Sequence, residues 1–319
     1  MRVVALVPGG IGDQILFFPT LDDLKRSYPN AQLDVVVEPR SKAAYRVSKS
    51  VNDVLTFDYK DRNSLADWSN LVGTIRDREY DAVITVGQSW LMGLLLWLMG
   101  IPTRVGYKGK GAGFLTDSVP FQPNKYVAAV YHDLLQPFGI KTPCPELAVN
   151  ILKPDIQWSQ NEQKRLGVNE TGYILINAGS SEVSLTALDK LYPLKSWQQI
   201  IQECQQKQPD LPVVVIQGSE NEQIRRSSLL ERTPGIKVTS PDNIGKLAAM
   251  IGGASLMLST DDPLLHLSVA VQTYTIALFG PTDPAKVLPK SDKFLPIISP
   301  TGQMADISPQ TVLDKIWGG

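Results

Sequence analysis

Short, nearly continuous apolar runs alternate along the chain with longer stretches whose apolar positions recur every three to four residues. In the first half the runs are VVALV at 3–7, LDVVV at 33–37, DVLTF at 53–57, DAVITV at 81–86 and TRVGY at 103–107. Between the first two, Ile15, Leu16, Leu21 and Leu24 fall at helical spacing. The second half repeats the scheme with YILINA at 173–178, PVVVIQ at 212–217, IKVTS at 236–240, SLMLS at 255–259 and TYTIALFG at 273–280. Helices are predicted over 194–207, 220–231, 243–252 and 264–271. A strand packed on one face alternates apolar with polar, whereas one covered by helices on both faces is apolar throughout. The pattern therefore predicts an α/β protein with parallel sheets.

A chain of 319 residues exceeds what one hydrophobic core usually organises, which predicts two domains. The segment 149–159 contains Pro154 and lacks strong periodicity. The boundary is expected there, giving Rossmann-like domains at 1–153 and 154–319. Open parallel sheets collect ligands at the carboxyl ends of their strands, so two such domains facing one another predict a ligand cleft.

Composition narrows the chemistry. Hydrophobic residues make up 43% and charged residues 20%, the balance of an ordered globular chain. The net charge is -1 with no long basic run, which argues against nucleic acid as a partner. Cys144, Cys204, His132 and His266 are the only cysteines and histidines, too few for a structural zinc site or a disulfide framework. No metal is expected, and reduced thiols suit a cytoplasmic protein. The opening MRVVALVPGG reads as a buried strand rather than a signal peptide. WLMGLLLWLMGI at 90–101 falls short of the roughly 20 residues a spanning helix needs. It is read either as a buried helix or, with Arg104, Lys108 and Lys110 nearby, as an element that touches a membrane surface.

Four strand-end segments carry candidate chemistry. The first strand gives way to Pro8-Gly9-Gly10-Ile11-Gly12-Asp13, where glycines such as Gly10 and Gly12 let a ligand approach the backbone. The spacing matches neither the dinucleotide fingerprint nor the Walker pattern. Asp13 is either a helix cap or a general base facing a cleft. In the second half, Asn177-Ala178-Gly179-Ser180-Ser181 with Lys190 downstream suits a phosphate, although Lys190 taken alone reads as a solvated surface charge. Glu220 and Glu222 follow another strand, placed either to bind ribose hydroxyls or to serve a helix's first turn. Ser259-Thr260-Asp261-Asp262-Pro263-Leu264-Leu265-His266-Leu267 opens a helix at a position where a diphosphate can be received.

Taken in order, these segments resemble family 9 glycosyltransferases, the heptosyltransferase-like group with the GT-B fold. The resemblance rests on GDQILFFP at 12–19, GIPTRVGY at 100–107, TDDPLLHL at 260–267 and ALFGPTDP at 277–284. It implies an inverting, metal-independent enzyme without a cofactor, moving a sugar from a nucleotide-diphosphate donor to an acceptor hydroxyl. In the group the donor is typically ADP-heptose and the acceptor a lipopolysaccharide core. It further implies an acceptor-binding first domain and a nucleotide-sugar-binding second domain. Asp13 matches the group's general base, Lys190 its phosphate-neutralising lysine, Asp261 the first residue of the nucleotide-sugar motif and His266 its histidine. The motif's acidic position falls on Glu220 or Glu222. The N–H groups opening the helix after Asp262 would help hold the departing diphosphate, together with Lys190 and the 179–181 turn.

Departures from the pattern fall at 262–264 and at 272 and 274. Asp262-Pro263-Leu264 stands where the group has Ser/Thr-Gly-Pro, adding a negative charge and removing an N–H. Two unit charges about 4 Å apart repel by about 4 kcal/mol at an effective dielectric of about 20. Gln272 and Tyr274 also occupy positions where the pattern prefers Gly and Pro. Two competing readings follow: a non-catalytic nucleotide-sugar or glycan-binding protein on a degenerate transferase framework, and a sugar-nucleotide epimerase of related architecture. Beyond the nucleotide sugar, the partners expected are a glycan or glycolipid acceptor and, peripherally, the cytoplasmic face of the inner membrane.

Overall fold

The computed structural model describes residues 1–59, 64–178, 191–217, 233 and 235–318. It divides into two compact units, Met1–Asn150 and Ile151–Gly319.

The first unit runs β1 (Arg2–Val7), α1 (Ile11–Ser27), β2 (Gln32–Val37), β3 (Asp53–Thr56), α2 (Leu65–Asp77), β4 (Ala82–Thr85), α3 (Trp90–Leu98), β5 (Thr103–Tyr107), β6 (Asp117–Val119) and α4 (Val127–His132). Among the described residues its strands form one sheet in the order β3-β2-β1-β4-β5-β6, every pair parallel. Val4, Leu6, Val36 and Val83 face helical Ile75, Leu96 and Met99 in a buried cluster. Each such side chain contributes about 1.5–3 kcal/mol of burial.

The second unit runs α5 (Lys153–Leu166), β7 (Ile174–Asn177), α6 (Leu194–Lys207), β8 (Val213–Ile216), β9 (Lys237–Thr239), α7 (Ile244–Gly252), β10 (Leu256–Thr260), α8 (Pro263–Ala270), β11 (Thr275–Phe279), α9 (Pro284–Val287), β12 (Phe294–Ile298) and α10 (Pro309–Trp317). Its parallel sheet has the order β12-β11-β10-β7-β8-β9. Here Ile176, Val215, Leu258 and Leu278 pack with Trp197, Ile200 and Ile201 of α6. Tyr192 and Trp197 meet edge-on at 5.1 Å, and the Tyr192 hydroxyl donates to the Ile307 carbonyl at 2.9 Å.

Both sheets therefore have the doubly wound order, which reverses direction once. The reversal lies between β1 and β4 in the first unit and between β7 and β10 in the second. Crossovers leave in opposite directions there, and a crevice opens at the carboxyl ends. The carboxyl ends of β1 and β4, and of β7 and β10, are thus the positions where each unit can bind a ligand.

Three expectations are revised. The 149–159 segment, read as lacking strong periodicity, holds the start of a helix: α5 begins at Lys153, with Pro154 in its first turn and Gly167 (φ +63°) ending it. The edge strands β6 and β12 and the closing helix α10 were not predicted. The hydrophobic segment at 90–101 is neither wholly buried nor wholly exposed, since α3 buries one side and leaves Trp90, Leu91, Trp97 and Leu98 open. The helix expected over 220–231 lies outside the described residues. Among the described residues no helix is long and apolar enough to cross a membrane.

Candidate functional site

In the first unit, α1 starts directly at the carboxyl end of β1. Asp13 occupies its third position and accepts a hydrogen bond from the Gly10 N–H at 2.9 Å, which satisfies a donor the helix leaves free. The Tyr131 hydroxyl, from α4, donates to the other carboxylate oxygen at 3.2 Å. Burial, with the Asp13 charge beside it, pushes the Tyr131 phenol well above its ordinary value and keeps it a donor. Asp13 itself remains partly open to solvent.

The turn is held from below. Gln14 is buried, donates to the Val7 carbonyl at 3.0 Å and accepts from the Tyr45 hydroxyl at 2.8 Å. Ser41 donates to the Gly9 carbonyl at 2.7 Å. Gly9 has φ +126°, and a Cβ there would collide with the Asp13 carboxylate. Gly10 is the extended residue before the helix and Gly12 its second residue. Gly9 is thus a position that must lack a side chain, on grounds of both backbone and space.

The second unit brings its own carboxylates to the reversal point of its sheet, at the carboxyl end of β10. Register sets Asn177, the last residue of β7, beside Ser259 of β10. The Asn177 amide donates to Ser259 Oγ at 3.2 Å and also to the Asp262 carboxylate. Asp262 is only 6% exposed and accepts from the Leu264 N–H at 2.8 Å, capping α8. Burial pushes its carboxyl up to about 7, with the adjacent Asp261 charge adding to the rise and the Asn177 and Leu264 hydrogen bonds opposing it. Asp261 is also buried and accepts from the Thr282 hydroxyl at 2.6 Å, tying the 277–284 motif to this turn. His266 is buried one turn further along α8.

One expectation is overturned here. The opening of α8 does not offer free N–H groups to a diphosphate. Pro263 has none, the Leu264 N–H is taken by the Asp262 side chain, and the Leu265 N–H donates to the Asp262 carbonyl at 3.1 Å. An internal carboxylate occupies the place of an external anion. Gln272, standing where the family pattern prefers glycine, has a left-handed backbone at φ +60°. A residue with a side chain is strained in that conformation.

The comparisons with known proteins agree with this architecture. The model of glycosyltransferase family 9 (heptosyltransferase) matches residues 68–317. The chain belongs to glycosyltransferase family 9. It is 22% identical to lipopolysaccharide heptosyltransferase 3 of Escherichia coli, over 85% of this chain and 81% of that protein. It is 24% identical to the photosynthetic NDH subunit of subcomplex B 1 of Arabidopsis thaliana, a chloroplastic protein, over 98% of this chain and 72% of that one. Its fold is that of the E. coli ADP-heptose lipopolysaccharide heptosyltransferase II, with a TM-score of 0.79 at 17% identity, covering 99% of this chain and 97% of the other. Family 9 membership makes the protein a glycosyltransferase with the GT-B fold and favours that reading over the binding-protein and epimerase alternatives.

Within the family 9 framework, Asp13, Gly10 and Gly12 share one turn, and Asp261, Asp262 and His266 another. Gly179, Ser180, Ser181, Lys190, Glu220 and Glu222 lie outside the described residues. Sequence reasoning missed four participants. Tyr131 is 118 positions from Asp13 and carries no local signal. Asn177 and Thr282 were quoted within motifs but their partners were not evident. Gly9 could have been found, since a Gly-Gly pair before a helix commonly places one member at positive φ. Among the described residues no cluster of three or more metal-ligating side chains is present.

Proposed function

We propose that this family 9 enzyme transfers a sugar from a nucleotide-diphosphate donor to a hydroxyl of a lipopolysaccharide or other cell-surface glycan, with inversion and without a metal. The observation that carries the reading is the state of Asp13. It is a partly open carboxylate at the sheet's reversal point, oriented through one oxygen by the Gly10 N–H and through the other by Tyr131. Each oxygen keeps a lone pair, so the group is fixed yet able to take a proton.

The reaction is a single displacement. The acceptor oxygen forms a bond to the anomeric carbon while its proton passes to Asp13. The bond from that carbon to the phosphate oxygen breaks, and the nucleotide diphosphate leaves with the electron pair. The developing charge on the leaving group is assigned to Lys190 and residues 179–181, since the first N–H groups of α8 are engaged within the protein. ADP-heptose is the first donor to test, because the E. coli heptosyltransferase II that shares this fold is an ADP-heptose enzyme. The acceptor side belongs to the first unit and the donor side to the second, in a cytoplasmic enzyme serving a lipid-borne acceptor.

Product stereochemistry tests the proposal. The protein is incubated with ADP-heptose and heptose-deficient lipopolysaccharide core, and the new glycosidic bond is read by NMR. An anomeric configuration opposite to the donor's is expected, with turnover undiminished by EDTA. Retention of configuration, or dependence on a divalent cation, would contradict it.

A further inference from the structure

The α3 helix is apolar on every face and carries no charge, a composition normally found fully buried. At 100° per residue its positions separate cleanly into two sides. Met92, Leu95, Leu96 and Met99 point into the core of the first unit, each less than a tenth exposed. Trp90, Leu91, Leu94, Trp97 and Leu98 lie within an arc of about 120° on the other side. Both tryptophans are 56% exposed, Leu91 46% and Leu98 45%. A contiguous patch of large apolar side chains of this kind marks a surface that meets something.

Its surroundings indicate what. Where α3 begins, the loop Lys108–Gly111 packs against it: Gly109 lies near the Gln88 carbonyl, Gly111 against Ser89 and Trp90, and a side chain on Gly93 would strike the Gly111 carbonyl. Lys108 and Lys110 project from that loop and are exposed. Where α3 ends, the Arg76 guanidinium lies beside Gly100, with nitrogens 3.8 Å from the position a Cβ would take. Arg104 is not part of this set, because it donates to the Phe114 and Ile101 carbonyls. The apolar stripe is thus flanked by cations at both ends.

We propose that α3 is a membrane-docking element that lies in the surface of an anionic bilayer. Trp90, Leu91, Leu94, Trp97 and Leu98 would enter the headgroup and acyl boundary, and Lys108, Lys110 and Arg76 would meet lipid phosphates. A helix of nine residues is about 13.5 Å long, too short to cross a bilayer but suited to lying along it. Tryptophan favours that boundary because its ring is apolar and its N–H finds a polar partner there. A protein partner or a second copy would not by itself require cations at both ends of an uncharged stripe. The inference rests on the proposed lipid-borne acceptor for its purpose but not for its geometry.

Vesicle flotation tests it without any turnover, so its outcome is separable from that of the transferase reading. The full chain is floated with vesicles of phosphatidylcholine alone and of phosphatidylcholine with phosphatidylglycerol, at low and high salt. Binding is expected only to the anionic vesicles and is weakened by salt. Lys108→Ala/Lys110→Ala should lower the partition coefficient about thirtyfold, and Trp90→Ser/Trp97→Ser at least about tenfold. These positions are exposed, so melting temperature should be unchanged. No flotation, equal binding to neutral vesicles, or full binding by either double variant would overturn the proposal. So would a concentration-dependent dimer that Trp97→Ser dissolves, because the stripe would then be covered by a second copy.

Discussion

Each unit places a carboxylate beside the reversal point of its sheet, after β1 in the first and after β10 in the second, and the two are treated in opposite ways. In the first, Asp13 sits on a turn emptied of side chains by Gly9, partly open, with its two hydrogen bonds supplied by a backbone N–H and a phenol. In the second, Asp262 is enclosed between β7, β10 and α8 and held by Asn177 and its own helix. Both cap helices, and a cap alone predicts nothing about chemistry. What separates them is solvation. A capping carboxylate that keeps an open side can exchange a proton with a substrate, whereas an enclosed one serves the fold and opposes any anion brought to the same helix.

The largest expected effect concerns the enclosed member. Its carboxyl is raised from 3.8 to about 7, so the folded state holds a proton more tightly than the unfolded state. The contribution of Asp262 to stability should therefore be greatest below about 4, fall as pH rises from about 4 to about 7, and level off above, by up to about 4 kcal/mol in total. Asp23 acts outside that window. Burial alone would raise its carboxyl, but hydrogen bonds from His132 and Thr142 bring it below its ordinary value, so its contribution disappears only in stronger acid. Urea unfolding of the wild type and Asp262→Asn between pH 4 and 8 checks this. The variant should gain on the wild type as pH rises, and parallel curves would show that Asp262 does not carry the penalty.

A smaller effect sharpens the other side of the comparison. Tyr131→Phe removes one of the two donors that orient Asp13 while leaving the ring to pack edge-on against Phe17 at 5.7 Å. Loss of one hydrogen bond to a charged group predicts about a tenfold or somewhat greater fall in kcat, with KM for the donor nearly unchanged. Steady-state kinetics decide it. A variant defective mainly in donor KM would place Tyr131 in binding rather than in positioning the base.

The sheets were legible because their central strands are buried on both faces, and continuous runs such as VVALV and VVVI can scarcely be read otherwise. The edges were not. β6 is three residues long, and β12 carries Pro296 and an exposed Ile298, which an edge strand tolerates and a pattern search does not reward. The α5 helix was overlooked because its sequence KPDIQWSQNEQKRL is mostly polar, although Pro154 near its start and Gly167 at its end were usable signals. For the candidate sites, single turns could be read and long-range partners could not. Asp13 and Asp262 were identified from neighbouring motifs. That one is open and the other enclosed depends on Tyr131 and Asn177, which only folding brings to them.

The most direct measurement is single-turnover transfer by Asp13→Asn compared with its donor affinity. If the open carboxylate takes the acceptor's proton, the rate should fall by about 10²- to 10⁴-fold while the dissociation constant for the nucleotide sugar stays within about a factor of two. A variant that transfers at the wild-type rate, or one whose only defect is weaker donor binding, would contradict the account.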